Sequence, residues 1–174
     1  LKEPPKKDPR PTIIFQVQPS NFDLYCHNCP AQYATPDELP RKKWEEVKTV
    51  LEDLNTSRLH YVKLNEPNHI VIDFDLKGSD GKKSFERNLE EASKWPKTYA
   101  ELSKSGKGIH LHYIYDGDVS MLEKLYAEDI EIKVFTGNSS LRRKLTKCNS
   151  ETINHLPDIL PKRKEKTVIN FESI

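Results

Sequence analysis

Asp73 and Asp75 stand two residues apart at the end of the run Asn68-His69-Ile70-Val71-Ile72-Asp73-Phe74-Asp75. The run is rich in β-branched residues and reads as a buried strand. Its period of two puts Ile70, Ile72 and Phe74 on one face and Val71, Asp73 and Asp75 on the other. Two carboxylates held side by side repel, and at least one pKa rises unless a cation lies between them. The cation suited to an all-oxygen donor set is Mg²⁺ or Mn²⁺. A D-x-D alone is also what a strand end facing water looks like, so the rest of the chain has to supply the argument.

Two later stretches repeat the pattern. Ser103-Lys104-Ser105-Gly106-Lys107-Gly108 is a turn with two glycines that leads into Ile109–Tyr115. Alternation along that run sets His110, His112 and Ile114 against Ile109, Leu111, Tyr113 and Tyr115. Glycines let backbone N–H groups approach an anion. The Ser105 hydroxyl, the Lys107 ammonium and the His110 imidazole add donors suited to a triphosphate. The spacing is not that of a Walker A loop. Asp129–Phe135 carries Ile130, Ile132 and Val134 on one face and Asp129, Glu131 and Lys133 on the other. Three strands with one aliphatic face each, and acids or histidines on the other, suit metal-assisted nucleotidyl transfer. In that chemistry two ions activate a hydroxyl and stabilise the leaving pyrophosphate.

Further candidates lie outside this set. Cys26-His27-Asn28-Cys29 has the spacing of one zinc knuckle, which supplies two of four tetrahedral ligands. Reduced structural thiols are the equal alternative. Arg41–Lys43, Arg142–Lys144 and Lys162–Lys164 are basic clusters, each a solvated surface or a phosphate contact.

The elements that must position these groups follow from periodicity. Thr12–Gln18 reads as a strand, paired as a hairpin with Phe22–Cys26. A helix is expected from Arg41 to about Asn55, with Trp44, Val47, Val50, Leu51 and Leu54 on one face. Leu59–Leu64 reads as a strand pairing with the Asp73/Asp75 strand. Lys82–Lys94 reads as a second helix, with Phe85, Leu89 and Ala92 inward and Trp95-Pro96 as its stop. Thr98–Leu102 reads as a strand, Val119–Glu128 as a short helix or turn, and Thr167–Phe171 as a further strand. The expected class is α/β (α+β): one sheet, two helices on its apolar face, and a polar catalytic face.

The expected domains are a partial zinc-ribbon-like segment and linker over 1–35, a catalytic domain over 36–147, and a tail over 148–174 that leads toward a downstream region. The chain opens on Leu1 within a Lys/Pro-rich stretch, and a natural N-terminus upstream is expected.

With these motifs in order, the chain resembles the archaeo-eukaryotic primase superfamily, in its phage and plasmid primase-polymerase branch. The second motif of that branch, T-Y-x-E-x-S-x-S-G-x-G-x-H, is matched throughout from Thr98 to His110. Ile130-Glu131-Ile132 followed by Phe135-Thr136-Gly137 resembles its third motif. The likeness covers about Arg41 to Leu145. It implies an RRM-like catalytic sheet, with Asp73, Asp75 and Glu131 as catalytic metal ligands for Mg²⁺ or Mn²⁺. Asp129 is a rival for the third acid. Ser105 and His110 match contacts to the incoming nucleotide's phosphates, Lys107 occupies a variable position of the same turn, and Arg142 and Arg143 are phosphate or template contacts. His112 is a packed strand histidine. Pro11–Val17 with Tyr25–Cys29 resembles the second half of the zinc ribbons preceding many primases, which implies Zn²⁺ at Cys26 and Cys29 and a first knuckle before Leu1. The implied partners are a single-stranded DNA template, nucleoside triphosphates and a replicative helicase, in the cytoplasm of a phage-infected or plasmid-bearing cell.

Two other readings remain. His110-Leu111-His112 is also the H-U-H pattern of replication-initiator endonucleases, for which Tyr126 is the candidate nucleophile. A non-catalytic nucleic-acid-binding module on a primase-like fold is the other. Composition constrains the choice only loosely. The net charge of +1 in 174 residues favours no partner class. Three cysteines fit a reducing compartment. No apolar run approaches the roughly 20 residues that a membrane span needs.

Overall fold

The hydrophobic runs on either side of the site residues form a single antiparallel sheet with a short parallel addition. A computed structural model describes residues 12–16 and 19–164; Val17, Gln18 and the expected strand at Thr167–Phe171 lie outside the described residues. The chain is mixed α+β. Its elements are α1 (Asn21–Tyr25), β1 (Ala31–Tyr33), β2 (His60–Val62), β3 (His69–Phe74), α2 (Phe85–Ala92), β4 (Ala100–Leu102), β5 (Ile109–Tyr115), β6 (Leu125–Ala127), β7 (Ile130–Val134), β8 (Leu141–Arg143) and β9 (Asn154–Leu156).

The main sheet runs β4-β5-β3-β7-β6, with β9 parallel to the later half of β5. The strand faces are those the alternation predicts. Ile70, Ile72 and Phe74, with Ile109, Leu111, Tyr113 and Tyr115, and with Ile130 and Ile132, form the main core. Helix α2 covers it through Phe85, Leu89 and Ala92. Its start is fixed by Ser84, whose hydroxyl accepts the Arg87 amide, as a helix N-cap does.

A second, smaller sheet, β1-β2-β8, lies over the other face. Its core joins Val62, Leu141 and Ala31 to Phe22 of α1, to Val71 of β3 and to Tyr99 just before β4. It therefore covers the Val71 end of the polar face. Strand β2 exists as expected, but its partners are β1 and β8 rather than the Asp73/Asp75 strand.

Two other expectations are corrected. Phe22–Cys26 is helical, not the second arm of a hairpin; Gln16 instead makes an isolated bridge to Cys148. The local cause is Ser20, whose hydroxyl caps the Asp23 amide, a Ser-x-x-Asp start that outranks strand propensity here. The helix expected over Arg41–Asn55 is replaced by an extended segment with single 3-10 turns at Trp44–Glu46 and Leu51–Asp53. The β-branched Val47, Thr49 and Val50 weaken a helix. Neighbouring backbone takes the segment's hydrogen bonds instead: the Ala31 amide donates to Thr49, and the Leu51 and Glu52 amides donate to Cys29 and His27. In the stretch expected as a tail, Asn154–Leu156 forms β9. No helix among the described residues is long and apolar enough to cross a membrane.

The two sheets are joined by a buried ion pair. Arg143 Nε of β8 lies 2.9 and 3.0 Å from the two carboxylate oxygens of Glu101 on β4. The same guanidinium reaches Asp23 Oδ1 at 2.7 Å and His60 Nε2 at 3.3 Å, and lies 4.2 Å from the Phe22 ring centroid. The Tyr99 hydroxyl donates to Glu101 and meets the Ser20 hydroxyl. Removing one member of such a pair strands the other in a dry site, which typically costs about 3–5 kcal/mol. Glu101→Leu is therefore expected to lower the unfolding free energy by that order. Urea denaturation checks this, and Glu101→Leu/Arg143→Met is expected to recover part of the loss.

Candidate active site

Strand register places the chemistry. Across four strands, Glu101 pairs with His110, His110 with Asp73, and Asp73 with Glu131. Side chains opposite one another on adjacent strands share a face, so four titratable groups form one row. The row ends where the small sheet stops covering the polar face, beside a cleft of about 300 Å³ lined by Asp73, Asp75, Ser105, His110, Arg142 and Arg143 among others.

Asp73 is buried, and its carboxylate meets an imidazole and an ammonium group. His110 Nε2 lies 3.1 Å from Oδ1 and Lys133 Nζ lies 3.0 Å from Oδ2. Burial pushes the Asp73 carboxyl up, but His110 and Lys133 outweigh it and hold the group well below the usual carboxylate range. Burial lowers the His110 pKa, yet Asp73 prevails and the imidazole is held above its ordinary value. Asp75 is half-buried and pairs with Lys83 at 3.1 Å. Two ammonium groups and an imidazole thus balance the paired acids.

The donor set fits a cation in part. Asp73 Oδ1 is buried, and the group facing it is His110 Nε2 at 3.1 Å, without an aligned hydrogen bond. A buried oxygen so placed can take a further donor or a cation. Among the described residues, however, no three His, Cys, Asp or Glu side chains converge as a metal-ligating group. Glu131 stands next to Asp73 in register but is exposed and lies outside the cleft lining. Asp129, its rival, adopts φ 59° just before β7. Its carboxylate pairs with Lys77 at 3.3 Å, and neither residue lines the cleft.

The glycine turn is tied to the acid strand. Ser103 and Gly108 close it by backbone and side-chain bonds, with Gly108 N donating to Ser103 Oγ at 2.9 Å. Gly106 takes φ 75°, which glycine adopts without strain. A Cβ on Gly108 would lie 2.8 Å from Ser103 Oγ and 3.1 Å from Asp75 Oδ1, so only glycine lets the turn come this near to Asp75. Lys107 is exposed, and its side chain does not line the cleft; its carbonyl accepts from Asn88 Nδ2. Asn88 of α2 is fully buried, and its Oδ1 accepts the Leu76 amide. One side chain therefore fixes the turn against the strand that bears Asp73 and Asp75. Nothing local marks Asn88, which in sequence looks like an ordinary polar helix residue beside Leu89.

Of the two arginines, Arg142 is half-exposed at the cleft mouth, and Arg143 contributes to its wall while its guanidinium is engaged by Glu101 and Asp23. His112 is fully buried, as expected of a packed strand histidine. Its Nδ1 meets His69 Nε2 at 2.9 Å, and its Nε2 faces Glu101 at 3.4 Å. Cys26 and Cys29 are buried in the second core. Hydrogen bonding with Cys26 holds the Cys29 thiol down to about 7 and pushes the Cys26 thiol up.

Two predictions follow from this arrangement. Asn88→Ala orphans the Leu76 amide and the Lys107 carbonyl, each worth about 1–3 kcal/mol when left buried and unpaired. Amide exchange over residues 103–108 is expected to accelerate, with a matching loss of stability in urea. Three buried imidazoles govern the acid limb of stability. His60 is held down to about 4 by burial and then by Arg143, and burial likewise lowers His69 and His112. A depressed histidine favours the folded state fully above the unfolded pKa of about 6.5 and loses that advantage as pH falls, at about 1.4 kcal/mol per pH unit for each group. His110, raised instead, acts in the opposite sense above pH of about 6.5. The melting temperature is therefore expected to drop steadily between pH 7 and pH 5 at constant ionic strength.

No family model matches the chain, and a search of curated proteins returned no relative.

Proposed function

We propose that the chain is a template-directed primase or primase-polymerase that joins nucleoside triphosphates on single-stranded DNA. The observation that carries this reading is the cross-strand row of His110, Asp73 and Glu131, with Asp75 and the glycine turn beside it. The first two motifs, far apart in the chain, meet at one cleft, Lys133 of the third strand lines it, and Glu131 stands beside Asp73 in register; stray surface polarity accounts poorly for that. The antiparallel sheet with α2 on its apolar face is read as the RRM-like catalytic sheet of that superfamily.

In this reading Asp73 and Asp75, with Glu131 as the third acid, hold Mg²⁺ or Mn²⁺, which when bound supplies charge stabilisation for the attacking hydroxyl and the leaving pyrophosphate. Ser105, the amides of the Gly106–Gly108 turn and His110 orient the phosphates of the incoming nucleotide. Lys83 and Lys133 balance the acids and line the wall on which a triphosphate would lie. Asn88 holds turn and acids at a fixed separation. The Cys26–Cys29 pair is read as part of a zinc-binding element whose remaining ligands are not among the described residues. The setting is replication of a phage or plasmid, with a helicase as partner.

The endonuclease alternative gains nothing from the geometry. It needs His110 and His112 as one open pair, whereas the His112 ring is enclosed between His69, Glu101 and Phe22.

The test is primer synthesis on an unprimed single-stranded template, with labelled ribo- and deoxynucleotides and either Mn²⁺ or Mg²⁺. Product is expected from the wild type and none from Asp73→Ala/Asp75→Ala. Equal product from both would remove the acids from the chemistry. Absence of product from the wild type on unprimed and primed templates alike would leave a binding role as the better reading.

A further inference from the structure

The mouth of the cleft holds an acid–base arrangement that the proposed chemistry does not use. Glu38 sits in a tight turn after β1: its amide and that of Thr35 bond within the turn, and Ala34 bridges Pro40. It is one of only two non-glycine residues with positive φ among the described residues, at 62°. Such a conformation disfavours glutamate relative to glycine and, where it occurs, clusters at functional positions. Its carboxylate reaches Lys104 of the glycine turn at 2.7 Å and also pairs with Arg142 of β8. The Tyr61 hydroxyl donates to its carbonyl, which fixes the turn over this spot. Lys104 and Arg142 line the cleft together with Lys144, which makes no ion pair among the described residues.

One carboxylate thus lies between cations contributed by two different elements, where a phosphate would fit. We infer that Lys104 and Arg142 form a phosphate site for the backbone of a single-stranded nucleic acid, and that Glu38 occupies it until the strand arrives. A strand fits better than the nucleotide. The cations beside the acids are engaged by them, Lys83 by Asp75 and Lys133 by Asp73, whereas Lys104 and Arg142 pair with Glu38, away from the acids, and all three are about half exposed. Cations that follow a groove at its rim are suited to track a phosphate backbone. Exposed ion pairs of this kind are weak and screened by salt, so a polyanion can displace Glu38 readily. Displacement makes strand entry compete with an internal acid, which disfavours isolated phosphates and favours ligands with several phosphates in line.

The inference rests on the reading of the cleft as a template-directed site, but its test needs no synthesis. Binding of a fluorescein-labelled oligothymidylate is measured by anisotropy over a series of salt concentrations, without divalent ions. Glu38→Gln is expected to tighten binding about three- to tenfold at low salt and to steepen the salt dependence. Lys104→Ala and Arg142→Ala are each expected to weaken binding and to reduce the salt slope by about 0.7. In the Lys104→Ala/Arg142→Ala background the Glu38→Gln gain should vanish. Glu45→Gln, the same charge change at an exposed site elsewhere, is the control. A Glu38→Gln effect no larger than the control overturns the inference, as does tighter binding of a nucleoside triphosphate with strand affinity unchanged. Melting temperatures of all variants confirm that each one folds. Tightening by Glu38→Gln in a protein that makes no primers would support the strand site while sinking the synthetic activity, so the two failures are distinguishable.

Discussion

The buried pair between Arg143 and Glu101 is the contact on which the site depends. It ties the small sheet to the main sheet at the border between the covered and the open parts of the polar face. Burial alone would neutralise Glu101, but Arg143 is dominant among the groups that hold it ionised. The carboxylate then does two things. It receives the Tyr99 hydroxyl and faces His112, which closes the covered end, and it sits beside His110 in register, where it adds to the effect of Asp73 in raising the imidazole above its ordinary value. A buried pair of this kind contributes little net stability, because desolvation offsets the attraction. What it provides is a specified geometry: α1, β8 and β4 can meet in only one way if every charge is to be satisfied.

From that anchor the polar face divides in two. At one end, Val71, His112 and His69 pack under α1 and the small sheet, where the histidines remain neutral. At the other, Asp73, Asp75 and His110 open on the cleft. The same strands thus serve as core and as reactive surface two residues apart. Such a change of environment along one strand is possible because the covering layer ends abruptly at Arg143, which presents its charge inward while Arg142 points out.

Charge balance at the open end is also informative. Asp73 and Asp75 stand there, and His110, Lys133 and Lys83 are placed to oppose them. The arrangement keeps Asp73 ionised in a buried position, which a site that must receive a cation requires. One carboxylate oxygen, Asp73 Oδ1, has only the His110 imidazole at 3.1 Å beside it and no aligned hydrogen bond, and in the proposed function that oxygen is where a metal would add most.

The sequence by itself determined the strand faces, the placement of Asp73, His110 and Glu131 on one side of three strands, the glycine turn and helix α2. Those features follow from local rules: period-two alternation, glycine conformations, capping by Ser84 and the stop at Trp95-Pro96. It also held an unused signal for α1 in Ser20-x-x-Asp23. Tertiary structure decided the remainder. The segment 41–55 carries a helical pattern, yet its backbone groups pair with Ala31, Cys29 and His27, because a neighbouring edge offered partners that propensity does not count. Strand β2 was legible, but not its pairing with β8, since His60 and Arg143 meet only across 83 residues of chain. The register that sets Asp73 opposite His110, the bond from Asn88 that fixes the glycine turn and the Glu38 contact at the cleft mouth likewise join residues distant in sequence. No local rule specifies them, because each depends on which surfaces remain exposed once the core has formed.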